Sequence, residues 1–81
     1  MIITLRYHAL LREKTGLAQE HFELPSGALA AEALARFFTK YPSLTGLDKS
    51  LHLAVNDEFV GRGEMLREGD KLDLLPPFGG G

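Results

Sequence analysis

In this chain of 81 residues, the group whose surroundings single it out chemically is the α-carboxylate of Gly81, at the end of Pro76-Pro77-Phe78-Gly79-Gly80-Gly81. Pro76 and Pro77 cannot donate ladder hydrogen bonds, so a preceding strand must stop there. Their fixed φ favours an extended stalk. Phe78 offers an anchor for a partner's pocket. Gly79, Gly80 and Gly81 carry no side chain and can pass through a channel too narrow for any other residue. Six extended residues reach roughly 20 Å at about 3.3 Å each. A carboxylate is inert at neutral pH until it gains a leaving group. Attack on the α-phosphate of ATP supplies one, as an acyl-adenylate, which a sulfur or amine nucleophile can then displace. Composition alone leaves open a second reading, in which the glycines are an idle end.

Other chemistry is hard to place. The chain has no cysteine, which excludes disulfides, thiolate metal sites and side-chain thiol nucleophiles. It also leaves no internal thiol to react with an activated terminus. His8, His21 and His52 are scattered over expected strands without metal-ligand spacing, and read as surface or edge histidines. Gly61-Arg62-Gly63 is too short for a phosphate loop and opens no helix. Asp57 and Glu58 are consecutive, so their side chains point apart rather than forming a carboxylate pair. No metal site is expected, and no enzyme of the usual kind.

The elements that would carry such a tail are legible from periodicity. Residues 2–8 alternate, with Ile3, Leu5 and Tyr7 on one face and Thr4, Arg6 and His8 on the other, as in a half-buried strand. Leu10 to Lys14 suits a helical turn or two, stopped by Gly16. Residues 19–24 alternate again with Phe22 and Leu24 inward. A longer helix is expected from Leu29 to Lys40. Leu29, Ala33, Phe37 and Tyr41, with Ala30, Leu34 and Phe38, make one apolar stripe. Glu32, Arg36 and Lys40 lie on the wet side. Its start is poorly signalled, with Ser26 as a candidate cap; Pro42 ends it. Leu51, Leu53 and Val55 alternate, Asn56-Asp57 supplies a turn, and Phe59-Val60 resumes as a strand. Residues 71–75 form the last strand, with Leu72 and Leu74 inward and Leu75 on the opposite face. One helix across one mixed sheet is the economical way to bury both apolar faces, which gives an α+β domain over residues 1–75 and a tail over 76–81. If the first strand is central and pairs with the last, the tail leaves from the middle of the sheet.

Composition sets the outer bounds. The chain is 44% hydrophobic and 25% charged, enough for a modest core in one domain. A formal net charge of −2 and no basic cluster argue against nucleic acid. Met1-Ile2-Ile3-Thr4 lacks the features of a secretory signal, and no segment has the apolar run of a membrane span. The expectation is a cytoplasmic protein with no membrane partner.

The tail Pro76-Pro77-Phe78-Gly79-Gly80-Gly81, the preceding "REGDKLDLL", "LAVN" (Leu53 to Asn56) and the opening "RYHALLREKTG" (Arg6 to Gly16) together carry a resemblance. Over essentially its whole length the chain resembles the small subunits of molybdopterin synthase, ubiquitin-like sulfur carriers of the β-grasp fold. The resemblance implies a mixed sheet of about five strands with one main helix across it. It implies that Gly81 is adenylated with ATP by a partner similar to ubiquitin-activating enzymes, and that a sulfurtransferase converts it to a thiocarboxylate. The large synthase subunit then receives the tail, holds the catalytic side chains, and passes the sulfur to a pyranopterin precursor, within a heterotetramer. No cofactor is bound by the chain itself; the ATP is consumed by the activating partner. The resemblance also maps a partner-binding patch onto His8, Arg12, Phe59 and Leu75. His8 stands where family members often have an aromatic or apolar residue, and Leu29 stands where a Thr often caps the helix, a change that weakens the cap by about 1 kcal/mol. From the residues alone, Phe59 fits either this patch or the domain's own core. Two other readings share the tail: a carrier for thiamin, cysteine or transfer-RNA thiolation, and a protein modifier joined to lysine through Gly81.

Overall fold

The computed structural model describes residues 1–77, so the expectations placed on Phe78, Gly79, Gly80 and Gly81 lie outside the described residues. The chain runs β1 (Ile2–Tyr7), α1 (Leu10–Thr15), β2 (Gln19–Glu23), α2 (Ala30–Lys40), a 3-10 segment (Pro42–Ser50), β3 (His52–Val55), β4 (Glu58–Val60) and β5 (Lys71–Leu75). The five strands make one sheet in the order β2-β1-β5-β3-β4. Only β1 and β5 are parallel; β1–β2, β3–β5 and β3–β4 are antiparallel. This is the ubiquitin-like β-grasp arrangement, with α2 across one face.

The two-residue period of β1 and β5 explains the layering. Ile3, Leu5 and Tyr7 are fully buried on the helix side, level with Leu72 and Leu74 of β5 and Leu53 of β3. Ala30, Ala33, Leu34 and Phe37 present the apolar stripe of α2 to them. Phe37 packs against Tyr7 with ring centroids 5.4 Å apart. Gly16 ends α1 at φ 77°, donating its N–H to the Arg12 carbonyl at 2.9 Å, as its place in the sequence predicts. Asn56 and Asp57 both take positive φ, 48° and 74°, the pattern of a two-residue type I′ hairpin turn between β3 and β4.

Three expectations are adjusted. First, β1 ends at Tyr7, so His8 lies just past the strand. Secondly, β3 begins at His52; Leu51 is buried at the end of a 3-10 segment that Pro42 initiates and that no periodicity signals. Thirdly, Leu29 does cap α2 without a side-chain acceptor, but the helix is not left short of partners. Glu64 and Arg62 accept the Ala30 and Ala31 N–H groups through their backbone carbonyls at 2.8 and 2.9 Å. The Glu32 carboxylate accepts the Leu29 N–H at 3.4 Å. The orphan donors of the first turn are therefore met by the 61–65 loop, a tertiary substitute for a Thr cap.

Candidate functional site

The site grows from β5, because β5 delivers the tail. It lies third of five in the sheet, paired with β1 as far as Leu74 and with β3 as far as Leu75. β5 stops at Leu75; Pro76 is buried against the body and Pro77 is exposed.

Around this root, the face of the sheet turned away from α2 carries two rows of side chains set by strand register. One row runs Arg6, Asp73, Ala54, Phe59 across β1, β5, β3 and β4. The other sets Leu75 beside His52, with His8 emerging next to the end of β1. Phe59 is 79% exposed, which excludes the reading that it belongs to the domain's own core. Leu75 is half-buried on the outer face, and Arg12 is exposed on α1. The four patch positions thus differ in kind: Phe59 and Leu75 are apolar surface, Arg12 is a solvated cation among the described residues, and His8 is tied down.

His8 is held by Asp73. This carboxylate is only 5% exposed although it sits on the outer face. Arg6 grips it in a bidentate manner, Nε to Oδ1 at 2.7 Å and Nη2 to Oδ2 at 2.8 Å, and His8 Nε2 meets Oδ1 at 2.7 Å. Arg6 Nη2 also reaches Oδ1 of the exposed Asp57 at 3.3 Å, linking the β3–β4 turn to the tail strand. Burial pushes the Asp73 carboxyl up, but the hydrogen bonds from Arg6 and His8 and the guanidinium charge outweigh it and hold the group below the usual carboxylate range. Beside His8 the chain turns through Ala9 at φ 49°, a left-handed value uncommon for a residue with a side chain. His8 is thus a surface histidine, as expected, with one ring nitrogen engaged by Asp73. Its register to Asp73 depends on the parallel β1–β5 pairing; alternation alone put Arg6 and Asp73 on outer faces without setting them level.

A second polar cluster closes the helix side. Glu20 accepts from Tyr7 Oη at 2.6 Å and Tyr41 Oη at 3.0 Å, and pairs with Lys40 Nζ. Burial pushes Glu20 up, and the bonds from Lys40, Tyr7 and Tyr41 more than reverse this, leaving its pKa lowered. Burial, with the Glu20 bond and charge, drives the Tyr7 hydroxyl well above its ordinary pKa. This cluster joins β1, β2 and the end of α2, and its role is structural.

Two surface hollows, of about 270 Å³ by Val55 and Asp70 and about 480 Å³ by Met1 and Leu66, lie at the end of the sheet opposite Leu75. Among the described residues no group of three His, Asp or Glu side chains is placed to hold a metal ion. No described helix is long and apolar enough to cross a membrane. What the arrangement does offer is an exit for a slender terminus, bordered by an apolar side chain and an oriented imidazole.

A β-grasp domain presenting its last strand from the middle of the sheet, with a diglycine end beyond it, defines the class of ubiquitin-like carriers. Residues 5–81 match the ThiS family model, and the chain belongs to that family. It is 35% identical over 83 residues to the molybdopterin synthase sulfur carrier subunit of Chlamydomonas reinhardtii, covering all of both chains. It is 32% identical to the subunit of the same name from Arabidopsis thaliana, over 90% of this chain and 76% of that one. Among solved structures it is similar to SAMP1 from Haloferax volcanii, with a TM-score of 0.88 at 25% identity over the whole of both chains. It is also similar to a molybdopterin converting factor subunit 1 from Pyrococcus furiosus, with a TM-score of 0.84 at 25% identity, covering 94% of this chain and 97% of the other.

Proposed function

We propose that this chain is the sulfur-carrier subunit of a molybdopterin synthase and that the α-carboxylate of Gly81 is its working group. The carboxylate oxygen attacks the α-phosphorus of ATP on an activating enzyme of the ubiquitin-activating type, and pyrophosphate leaves. The terminal sulfur of a sulfurtransferase's persulfide then displaces AMP from the acyl carbon to give an acyl disulfide, and a thiol reductant cleaves its S–S bond to leave the thiocarboxylate and a disulfide. The loaded tail enters the large synthase subunit, whose side chains transfer the sulfur to a pyranopterin precursor. The chain itself binds no cofactor in this scheme and works in the cytoplasm with these soluble partners. Phe59, Leu75, Arg12 and His8 form the surface that meets them.

The observation that carries this reading is the full-length similarity to sulfur carrier subunits in a chain whose central strand ends at a proline pair and three glycines. The exposure of Phe59 on the same outer face as Leu75 supports the docking surface. Intact-mass analysis of the chain purified from its native host tests the proposal. A subpopulation with one terminal oxygen replaced by sulfur is expected while the cofactor is being made; its consistent absence under those conditions counts against the carrier.

The similarity to SAMP1, a small archaeal modifier protein, favours a second reading, in which the same activated terminus acylates a lysine amine. Digestion of host proteins, followed by a search for lysines bearing the chain's terminal glycines, separates the two. Such conjugates without any thiocarboxylate would replace the first reading by the second.

A further inference from the structure

The imidazole of His8 has one nitrogen committed and one to spare. Asp73 is acceptor-only when ionised, and its bidentate pairing with Arg6 keeps it so. The proton in the 2.7 Å contact between Nε2 and Oδ1 therefore belongs to His8 Nε2. In the neutral ring this makes Nδ1 the lone-pair nitrogen, an acceptor in a fixed direction. Nδ1 has no hydrogen-bond partner among the described residues. The side chain as a whole is 38% exposed.

What covers this nitrogen follows from chain length. Four residues lie beyond Pro77, and fully extended they span roughly 14 Å. A pocket that takes the Gly81 carboxylate therefore comes within roughly that distance of Pro77, and the outer face around Leu75 and His8 borders this root. We propose that His8 is a specificity-determining acceptor of this face, and that the large synthase subunit lays an N–H or O–H donor on Nδ1 as it covers Leu75 and Phe59. The inference rests on the sulfur-carrier reading above and adds a recognition rule to it. Apolar contact at Phe59 and Leu75 is tolerant of partner and orientation, whereas a single acceptor held by a buried ion pair is directional. Asp73 and Arg6 act as positioning residues, because they choose the tautomer without touching the partner.

The test is long-range nitrogen–proton NMR of the full, uniformly labelled chain, free and then with the large subunit of the same organism added. The free chain should show the Nε2–H tautomer, and the Nδ1 resonance should move towards its hydrogen-bonded position as complex forms. In parallel, His8→Phe should weaken the complex by about three- to tenfold, the range of one hydrogen bond, with the free chain still cooperatively folded. An Nδ1–H tautomer, or a ring protonated at both nitrogens, in the free chain overturns the inference. So does an unmoved Nδ1 resonance, or full affinity in His8→Phe, when the subunits do bind; the carrier reading then stands without it. Failure of the subunits to bind at all overturns the docking reading and the inference together.

Discussion

Replacing Phe59 by alanine separates docking from folding more cleanly than any other single change. Phe59 lies on the outer face of a three-residue edge strand and is 79% exposed, so the folded chain gains little from its ring. Fully burying such a side chain contributes about 1.5–3 kcal/mol. With 79% of the ring still available to a partner, about 1.2–2.4 kcal/mol rides on docking. At 1.4 kcal/mol per factor of ten, Phe59→Ala should raise Kd for the large synthase subunit roughly 7- to 50-fold. Folding stability should move by less than about 1 kcal/mol, the span of strand propensity. Phe37→Ala provides the contrast, since emptying a fully buried aromatic position costs about 3–5 kcal/mol. Isothermal titration calorimetry and denaturant unfolding of both variants supply the two axes. An unchanged Kd in Phe59→Ala, or a loss of stability comparable with that of Phe37→Ala, would refute the placement of Phe59 on the partner surface.

Other outcomes follow from the two polar clusters and the helix cap. Asp73→Ala strips Arg6 and His8 of their shared acceptor and should destabilise the fold by about 2 kcal/mol, read by denaturant titration. In the parent chain the folded pKa values of Asp73 and Glu20 are depressed, so their contribution is present above the unfolded carboxylate pKa and is lost as pH falls through the folded values; Asp73→Ala should flatten that acid limb of the stability profile. The Tyr7 hydroxyl is shifted the other way. Its contribution is complete below the unfolded tyrosine pKa and is lost as pH rises beyond it, so Tyr7→Phe should unfold less steeply in alkali. Leu29→Thr should change stability by less than about 0.5 kcal/mol in thermal unfolding, because the carbonyls of Glu64 and Arg62 already accept the first N–H groups of α2.

The fold was readable where burial has a period. Ile3, Leu5 and Tyr7 alternate because β1 buries one face, and Ala33, Leu34 and Phe37 cluster because α2 buries one stripe. Gly16 and the Asn56-Asp57 pair declared their turns through backbone preference alone. What stayed hidden depends on contacts between residues far apart in the chain. The 3-10 segment from Pro42 to Ser50 has one buried residue, Leu44, too few for any pattern. The cap of α2 comes from residues 62 and 64, which no reading of its own flank could reveal. The candidate site divides in the same way. The tail's composition pointed to a terminal carboxylate, and the outward face of Leu75 was visible from alternation. The grip of Asp73 on Arg6 and His8 needed the register of two strands 67 residues apart along the chain, level only once β1 and β5 pair in parallel.

On the proposed function, the terminal carbon of Gly81 carries sulfur to a pterin precursor. The most direct test loads the chain with radiolabelled sulfur as its thiocarboxylate and mixes it with the purified large subunit and precursor. Label should leave the chain and appear in the dithiolene product in step, with no transfer from a chain lacking Gly81. Product formed while the label stays on the chain, or formed equally well without Gly81, would contradict it.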